Sequence, residues 1–458
     1  MLSRASFLFF LCERNSMTVV STRTYLFNCM LNIPITTQKR IVIVGSGFAG
    51  LTLAQKLKYS GYQVVLIDKN NYHQFQPLLY QVATAGLEPR DISFPLRKIF
   101  QKFNNTFIRI AEVSKIDTQE KVVTTSLGTV HYDYLVLANG ASTSFFGMKS
   151  VEEHSIPMKS VAEALVLLNS ILHNFEDVLV TSDQEVRESE MNIVVVGGGP
   201  TGVELSGALA EMKRYVFPKD YRELDCSKIR IVLVEAADQL LNGMSAASSK
   251  KAEKFLQKLG VEILLSTQVV DYNGRLVSFK SGESIRTKTL VWAAGITANL
   301  LEGVPTSSVV RGRRLLCDSV NRLQNANDIF VLGDTAYITN EKWPNGHPQV
   351  AQVAIQQARN LARNFVRLKK GQPLKPFRYS DYGSMATVGR NKAVVDLPFA
   401  HFQGLFAWIL WMFIHLRSIF GLKNKIQIFI NWVWSYLTYD QSLRLTFLPK
   451  DFRFRTKA

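Results

Sequence analysis

Between Arg40 and Leu332 the chain alternates unbroken apolar runs with stretches of helical periodicity. Runs such as Ile41–Val44, Val64–Ile67, Ile193–Val196, Ile231–Val234 and Ile329–Leu332 carry no polar residue at every second place. A strand with one wet face would alternate; continuous β-branched runs predict strands buried on both faces of a parallel sheet, with crossover helices between them. The expected fold class is therefore α/β. After Gly404 the pattern changes: Leu405–Ile414 is unbroken apolar sequence, His415 and Arg417 intervene, and a second stretch runs from Ile426 to Leu437 past the basic turn Lys423–Lys425.

What leaves the first strand is informative. Arg40-Ile-Val-Ile-Val runs into Gly45-Ser-Gly47-Phe48-Ala49-Gly50 and then a helical pattern, and 23 residues after Gly45 the next strand ends in Asp68. This is a complete dinucleotide fingerprint. Gly45 serves the tight turn, Gly47 the approach of a pyrophosphate, and Gly50 close packing of helix on strand. The helix N-terminus offers its positive end, and Asp68 accepts ribose hydroxyls. The grammar recurs at Gly197-Gly-Gly199-Pro-Thr-Gly202, whose second strand ends in Glu235, 38 residues after Gly197. The gap is longer than usual, with Lys213–Lys228 as the expected insertion. Two dinucleotide sites follow, and an acid at the second strand tip favours NADH over NADPH. Two further strands end in small residues, at Ala138-Asn-Gly140 and Ala294-Gly295, where backbone can lie against a nucleotide. A third ends in Gly333-Asp334, at the carboxyl edge where α/β sheets bind ligands.

Charge and cysteines narrow this picture. The 54 Lys/Arg against 37 acids leave +17, which calls for an anionic partner. The basic residues are spread along the chain, with no helix-turn-helix or aromatic RNA platform, so nucleic acid is not expected. Cys12, Cys29, Cys226 and Cys317 are far apart, without metal spacing or a disulfide framework, so no metal site is expected. Residues 1–38 read as a disordered or over-annotated extension, with Met17 and Met30 as alternative starts.

The segments GSGFAG with Asp68, Asn71–Gly86 (NYHQFQPLLYQVATAG), GGGPTGVELSGALAEM, VLGDTA and Pro348–Gln357 (PQVAQVAIQQ) together resemble the type II NADH dehydrogenases, single-subunit NADH:quinone oxidoreductases among the two-dinucleotide-binding-domain flavoproteins. The resemblance implies two Rossmann-like domains, the NADH domain inserted in the FAD domain, and a C-terminal helical membrane-binding region. It sets domains at 39–150 and 300–400 (FAD and quinone side), 151–299 (NADH) and 401–458 (amphipathic tail). It implies FAD at Gly45, Gly47, Phe48, Ala49, Gly50, Asp68, Lys69, Ala138, Gly140, Gly333 and Asp334. NADH, as substrate, falls to Gly197, Gly199, Gly202, Glu235 and Gly295. Gln352 and Gln356 fall where the family puts its flavin ring and quinone pocket, and Glu204 matches an acid that helps bind substrate or supply a proton. A helix-capping acid is the plain alternative for Glu204. Asn139 stands where the family usually has Thr. Residues 45–100 hold no cysteine, which separates the chain from disulfide reductases of this fold.

The implied activity is FAD-dependent oxidation of NADH with two-electron reduction of a membrane quinone, without proton pumping. The competing class is an NADH-responsive flavoprotein that acts mainly as a binding module. Four of six tryptophans lie in the tail, and 404–458 carries eight Lys/Arg against two acids. Neither apolar stretch reaches the roughly 20 residues of a span. Amphipathic helices in the lipid interface are therefore expected, with a short spanning helix as the other arrangement. The location this implies is the cytoplasmic face of the inner membrane; a homodimer is compatible with all of it. On this reading a chain ending near Gln403 stays soluble and keeps FAD. Arg390 and Lys392 are candidates for the quinone or nucleotide side.

Overall fold

The computed structural model describes residues 31–439 and 443–449. The first half opens with β1 (Arg40–Val44), α1 (Phe48–Lys56), β2 (Gln63–Asp68), the short α2 (Leu79–Ala83), β3 (Thr106–Ile110) and β4 (Tyr134–Leu137). A short strand β5 (Ala141–Thr143) leads out of it. The chain then builds a second unit from β6 (Ile156–Pro157), α3 (Val161–Val180), β7 (Asn192–Val196), α4 (Pro200–Tyr215), β8 (Arg230–Val234), β9 (Glu262–Leu264) and β10 (Thr289–Trp292). It returns through β11 (Ile296–Ala298) to β12 (Ile329–Val331) and the long helix α5 (Ala351–Lys369).

Two five-stranded parallel sheets result, in the orders β12-β4-β1-β2-β3 and β6-β10-β7-β8-β9. Their central strands are buried along their lengths, as the unbroken apolar runs require. Because β12 joins the first sheet only after the second is complete, the second unit is an insertion. The outgoing β5 and returning β11 pair with each other, Ala141 opposite Ala298 and Thr143 opposite Ile296. The longer gap before Glu235 is taken up by the last turn of α4, the turn Phe217–Asp220 and a loop.

A hairpin sheet follows: β13 (Ser384–Gly389), β14 (Lys392–Leu397) and β15 (Ala400–Gln403). It lies on α4 at Gly207, where any Cβ would collide with the carbonyl of Val388. The tail forms α6 (Leu405–Ser418) and α7 (Leu422–Thr438). No helix among the described residues is long and apolar enough to cross a membrane.

The tail departs from the sequence expectation of a separable appendage. Trp411 is only 2% exposed, and Ala407, Ile419 and Ile428 join the same apolar core as the second sheet and the hairpin. Their partners arrive from distant parts of the chain, so the helical pattern of the tail alone did not reveal an inner face. The outer faces remain exposed through Leu405, Phe406, Ile409 and Phe413 on α6 and Leu422, Ile426, Ile430, Val433 and Leu437 on α7.

At the other end, residues expected to be unstructured touch the body. Leu31 is buried, its N–H donates to Thr129 O at 3.0 Å, and Arg109 Nε donates to Leu31 O at 2.7 Å. The rest of the N-terminal extension, residues 1–30, lies outside the described residues.

Candidate functional site

At the first fingerprint the chain turns sharply at Gly45, whose φ of +97° and near-collision with the Ala138 carbonyl admit only glycine. Gly45 N–H donates to Ile67 O at 2.8 Å, which locks the loop to the tip of β2. There the Asp68 carboxylate accepts from Ser46 N–H (2.6 Å), Ser46 Oγ (2.7 Å) and Asn70 N–H (2.7 Å). A carboxylate offers about four lone-pair directions, so Asp68 keeps room for a further donor. Gly50 sits in the first turn of α1 against the carbonyl of Gly45, whereas Gly47 faces open space.

That space is a cavity of about 1540 Å³. Gly45, Gly47, Phe48, Ala49, Asp68, Lys69, Ala138, Gly140, Gly333 and Asp334 all line it. Gly333, at φ +68°, gives its N–H to the fully buried Gln357 Oε1 at 2.7 Å, and Gln349 Nε2 donates to Asp334 O at 2.9 Å. Burial raises the Asp334 carboxyl above its ordinary range, against the pull of Lys159 and Arg314.

The second fingerprint repeats the cradle. Gly197, at φ +113°, donates to Val234 O at 2.8 Å. Glu235 accepts from Gly198 N–H at 2.5 Å and Ala237 N–H at 2.7 Å. Gly202 packs against the carbonyl of Gly197, and Gly199, like Gly47, faces open space. Gly295, at φ +81°, lies under the Phe146 ring.

Helix α4 joins the two regions. Its N-terminus is capped by Gly199, while Pro200, Thr201 and Glu204 line the large cavity. Glu204 is 8% exposed and accepts from Thr387 N–H at 3.3 Å. Burial pushes its carboxyl up to about 8. The Thr387 bond and, more weakly, the nearby Trp411 indole oppose that shift; the indole N–H itself reaches no full hydrogen-bond geometry. This is not a helix-capping acid.

Four residues at this end were not singled out in the sequence: Tyr80, Met385, Trp411 and His415. Tyr80, Met385 and His415 line the cavity beside Glu204. Trp411 and His415 stack at 4.0 Å, and burial pushes the imidazole down to about 4, so it is neutral. The sequence held one signal for His415: an ionisable residue directly at the end of an unbroken apolar run. Its tertiary partner Phe75 and the stacked Trp411, one turn earlier on α6, then make it part of the cavity wall.

Gln352 and Gln356 take another place. Gln352 donates to Gly383 O (3.0 Å) and accepts from Tyr382 N–H (3.1 Å); Gln356 does the same with Ser380 O (2.8 Å) and N–H (3.0 Å). Both amides clamp the backbone that leads into β13, and neither is among the cavity-lining residues. The face of α5 toward the cavity carries Ala351 and Ala354. Arg390 also points elsewhere. Its guanidinium caps the C-terminal end of α7 at Ser435 O (2.5 Å) and Tyr436 O (2.8 Å) and stacks on Tyr439. Asn139 and Asn299 exchange amide–carbonyl bonds at 2.8 and 2.9 Å across the β5–β11 crossing.

A family model described as Pyridine nucleotide-disulphide oxidoreductase matches residues 39–358, and one described as NDH2 C-terminal domain matches residues 382–439. The Type II NADH:quinone oxidoreductase Ndh of Mycobacterium tuberculosis is 37% identical over 418 residues, 87% of this chain and 88% of that protein. The chain belongs to the type II NADH:quinone oxidoreductase family. A further member, the Type II NADH:quinone oxidoreductase of Staphylococcus saprophyticus, is 29% identical over 392 residues, 84% of this chain and 96% of that one.

Solved structures agree in fold. NDH2 from Plasmodium falciparum, in complex with NADH, superposes with a TM-score of 0.80 at 20% identity, covering 87% of this chain and 98% of that one. The sulfide:quinone oxidoreductase of Aquifex aeolicus follows at 0.66 and 19% identity, covering 84% and 92%. In this type II chain Cys226 and Cys317 are free thiols, and neither lines the cavity.

Proposed function

We propose that this chain oxidises NADH through FAD held in the large cavity and passes the electrons to a quinone at a membrane surface, without proton pumping. The observation that carries the reading is the cavity itself, continuous from the first fingerprint, past Gly333–Asp334, to a buried protonated acid on the helix that also caps the second cradle. The residues fit a flavin dinucleotide. The open space at Gly47 and the N-terminus of α1 suit a pyrophosphate, and Asp68 keeps a free direction for a ribose. When bound, FAD supplies the two-electron exchange between NADH and quinone. Gly199, Gly202, Glu235 and Gly295 would hold NADH at the second cradle, with Glu235 disfavouring a 2′-phosphate. Gln352 and Gln356 would support the quinone side by fixing the 380–383 backbone rather than by contact. The domain division read from the sequence, 39–150 with 300–400 and 151–299, is adopted with this proposal.

Adding NADH to the purified protein should bleach the flavin absorbance, and a short-chain quinone should restore it within a turnover. A flavin that stays reduced in quinone would favour the binding-module alternative.

Glu204 holds its proton at neutral pH and is placed to stabilise or deliver one beside the acceptor. Its ordinary value is 4.5 and its folded value about 8. The folded state therefore binds the extra proton between those limits, and stability is full below the lower and lost as pH rises to the upper. Glu204→Gln removes that slope. Its melting temperature should match the wild type near the acid limit and exceed it increasingly toward the alkaline one. A constant difference across the range would contradict a buried neutral Glu204.

The tail supports attachment to one membrane face, monotopic; the cytoplasmic side is taken with this proposal from the family resemblance alone. Helix α7 turns Asn424, Ile428, Asn431 and Trp432 inward and Leu422, Ile426, Ile430, Val433 and Leu437 outward. That is the reverse of a helix meeting water, and it suits one lying on lipid, with Arg417, Lys423 and Lys425 at the headgroups. A homodimer is compatible with this reading.

A further inference from the structure

The inner face of α7 is tied to the body by polar contacts at helical spacing. Asn424 Nδ2 donates to Arg90 O (3.0 Å) and Asp91 O (3.2 Å), and Asn431 Nδ2 to Asp91 Oδ2 (3.2 Å). One residue further, Trp432 Nε1 donates to Gln81 Oε1 at 2.8 Å, and Gln81 Nε2 donates to the Tyr80 hydroxyl at 2.8 Å. The direction of these bonds matters. Gln81 supplies the hydrogen to the phenol oxygen, so the hydroxyl's own hydrogen is left to point away from Gln81. The acidic side chains that influence the phenol are Glu204 and Glu211 of α4, and Tyr80 lines the cavity at the Glu204 end. Its ring also lies 6.4 Å from that of Trp411. A two-bond chain thus runs from a helix whose outer face is apolar and exposed to the hydroxyl of a residue that lines the cavity.

We propose that Tyr80, keeping its proton, gives a hydrogen bond from its hydroxyl to the carbonyl oxygen of the quinone, and that Gln81 and Trp432 are positioning residues that aim it. Seating of α7 then governs the acceptor half of the reaction and leaves the NADH half alone. The inference rests on the reading of the Glu204 end as the acceptor site. Free hydroxyl rotation would spread the hydrogen over several directions; the Gln81 bond excludes those on its own side.

The test separates the half-reactions in the full-length holoenzyme by stopped flow, using NADH and a short-chain ubiquinone analogue. Trp432→Phe keeps a ring in place and removes only the N–H. Reoxidation of the reduced flavin by quinone should slow by roughly five-fold, the worth of one neutral hydrogen bond, while reduction by NADH is unchanged. Tyr80→Phe should slow reoxidation at least as much. The double variant should be no slower than Tyr80→Phe alone, because both changes break one chain. Gln81→Met repeats the test if Trp432→Phe loses its flavin. Additive losses, equal slowing of both half-reactions, or wild-type reoxidation in Trp432→Phe would each overturn the proposal. Failure of the wild type itself to give electrons to the quinone would instead bring down the functional reading on which it rests.

Discussion

A chain ending at Gln403 is expected to lose FAD and precipitate. The cut removes Trp411, the largest fully buried side chain among the described residues, together with Ala407 and Ile419. Truncating one buried Trp costs about 3–5 kcal/mol, against a total domain stability of roughly 5–15 kcal/mol. The loss falls where it matters most, since all three strands of the hairpin sheet pack on the removed helix, with Phe402 edge-on to Phe406 at 5.0 Å. His415 goes as well, which opens the cavity wall beside Glu204. Ending the chain at Phe420 instead keeps Trp411, His415 and Ile419, and that protein should retain its flavin in detergent. Flavin content after gel filtration separates the outcomes. A yellow, monodisperse chain ending at Gln403 would show α6 to be an appendage after all.

The fingerprint glycines should fail in two different ways. At Gly45 a side chain meets the Ala138 carbonyl and the Asn139 backbone, and the φ of +97° strains any L-residue. Gly45→Val should therefore leave little folded protein. At Gly47 nothing lies within 4 Å of an added Cβ, and the backbone is extended. Gly47→Val should fold with an unchanged circular dichroism spectrum yet emerge colourless, because its side chain takes the room a pyrophosphate needs. Retained flavin in Gly47→Val would displace FAD from this cradle. Equal folding yields for the two variants would contradict the distinction.

The parallel sheets, both fingerprints and their strand-tip acids were legible because each rests on local sequence. An apolar run, a glycine spacing and an acid at a strand end all sit within about 40 residues. The remainder depends on contacts between distant segments. Nothing near Gln352 indicates that its amide is taken up by the backbone of Tyr382 and Gly383. Asn139 looks like a neutral exchange for threonine until Asn299, 160 residues on, answers it across the crossing. The tail misled for the same reason. An apolar helix that buries one face and exposes the other without a change in polarity has no polar stripe to mark the boundary. Only the placement of Trp411 and His415 against α4 and the hairpin draws it.

The paired crossing β5–β11 has a mechanical consequence. A domain hung on one strand can swivel, because every single bond along the tether is a pivot. Here the chain passes between the two sheets twice, and the passes are zipped edge to edge and cross-tied by Asn139 and Asn299. Such a ribbon bends across its flat face far more readily than it shears along its length. With α2 packed on α3 and α4, and β13 packed on α4, the ribbon adds to a broad contact that seats the inserted unit against the first and closes off swivel about the tether.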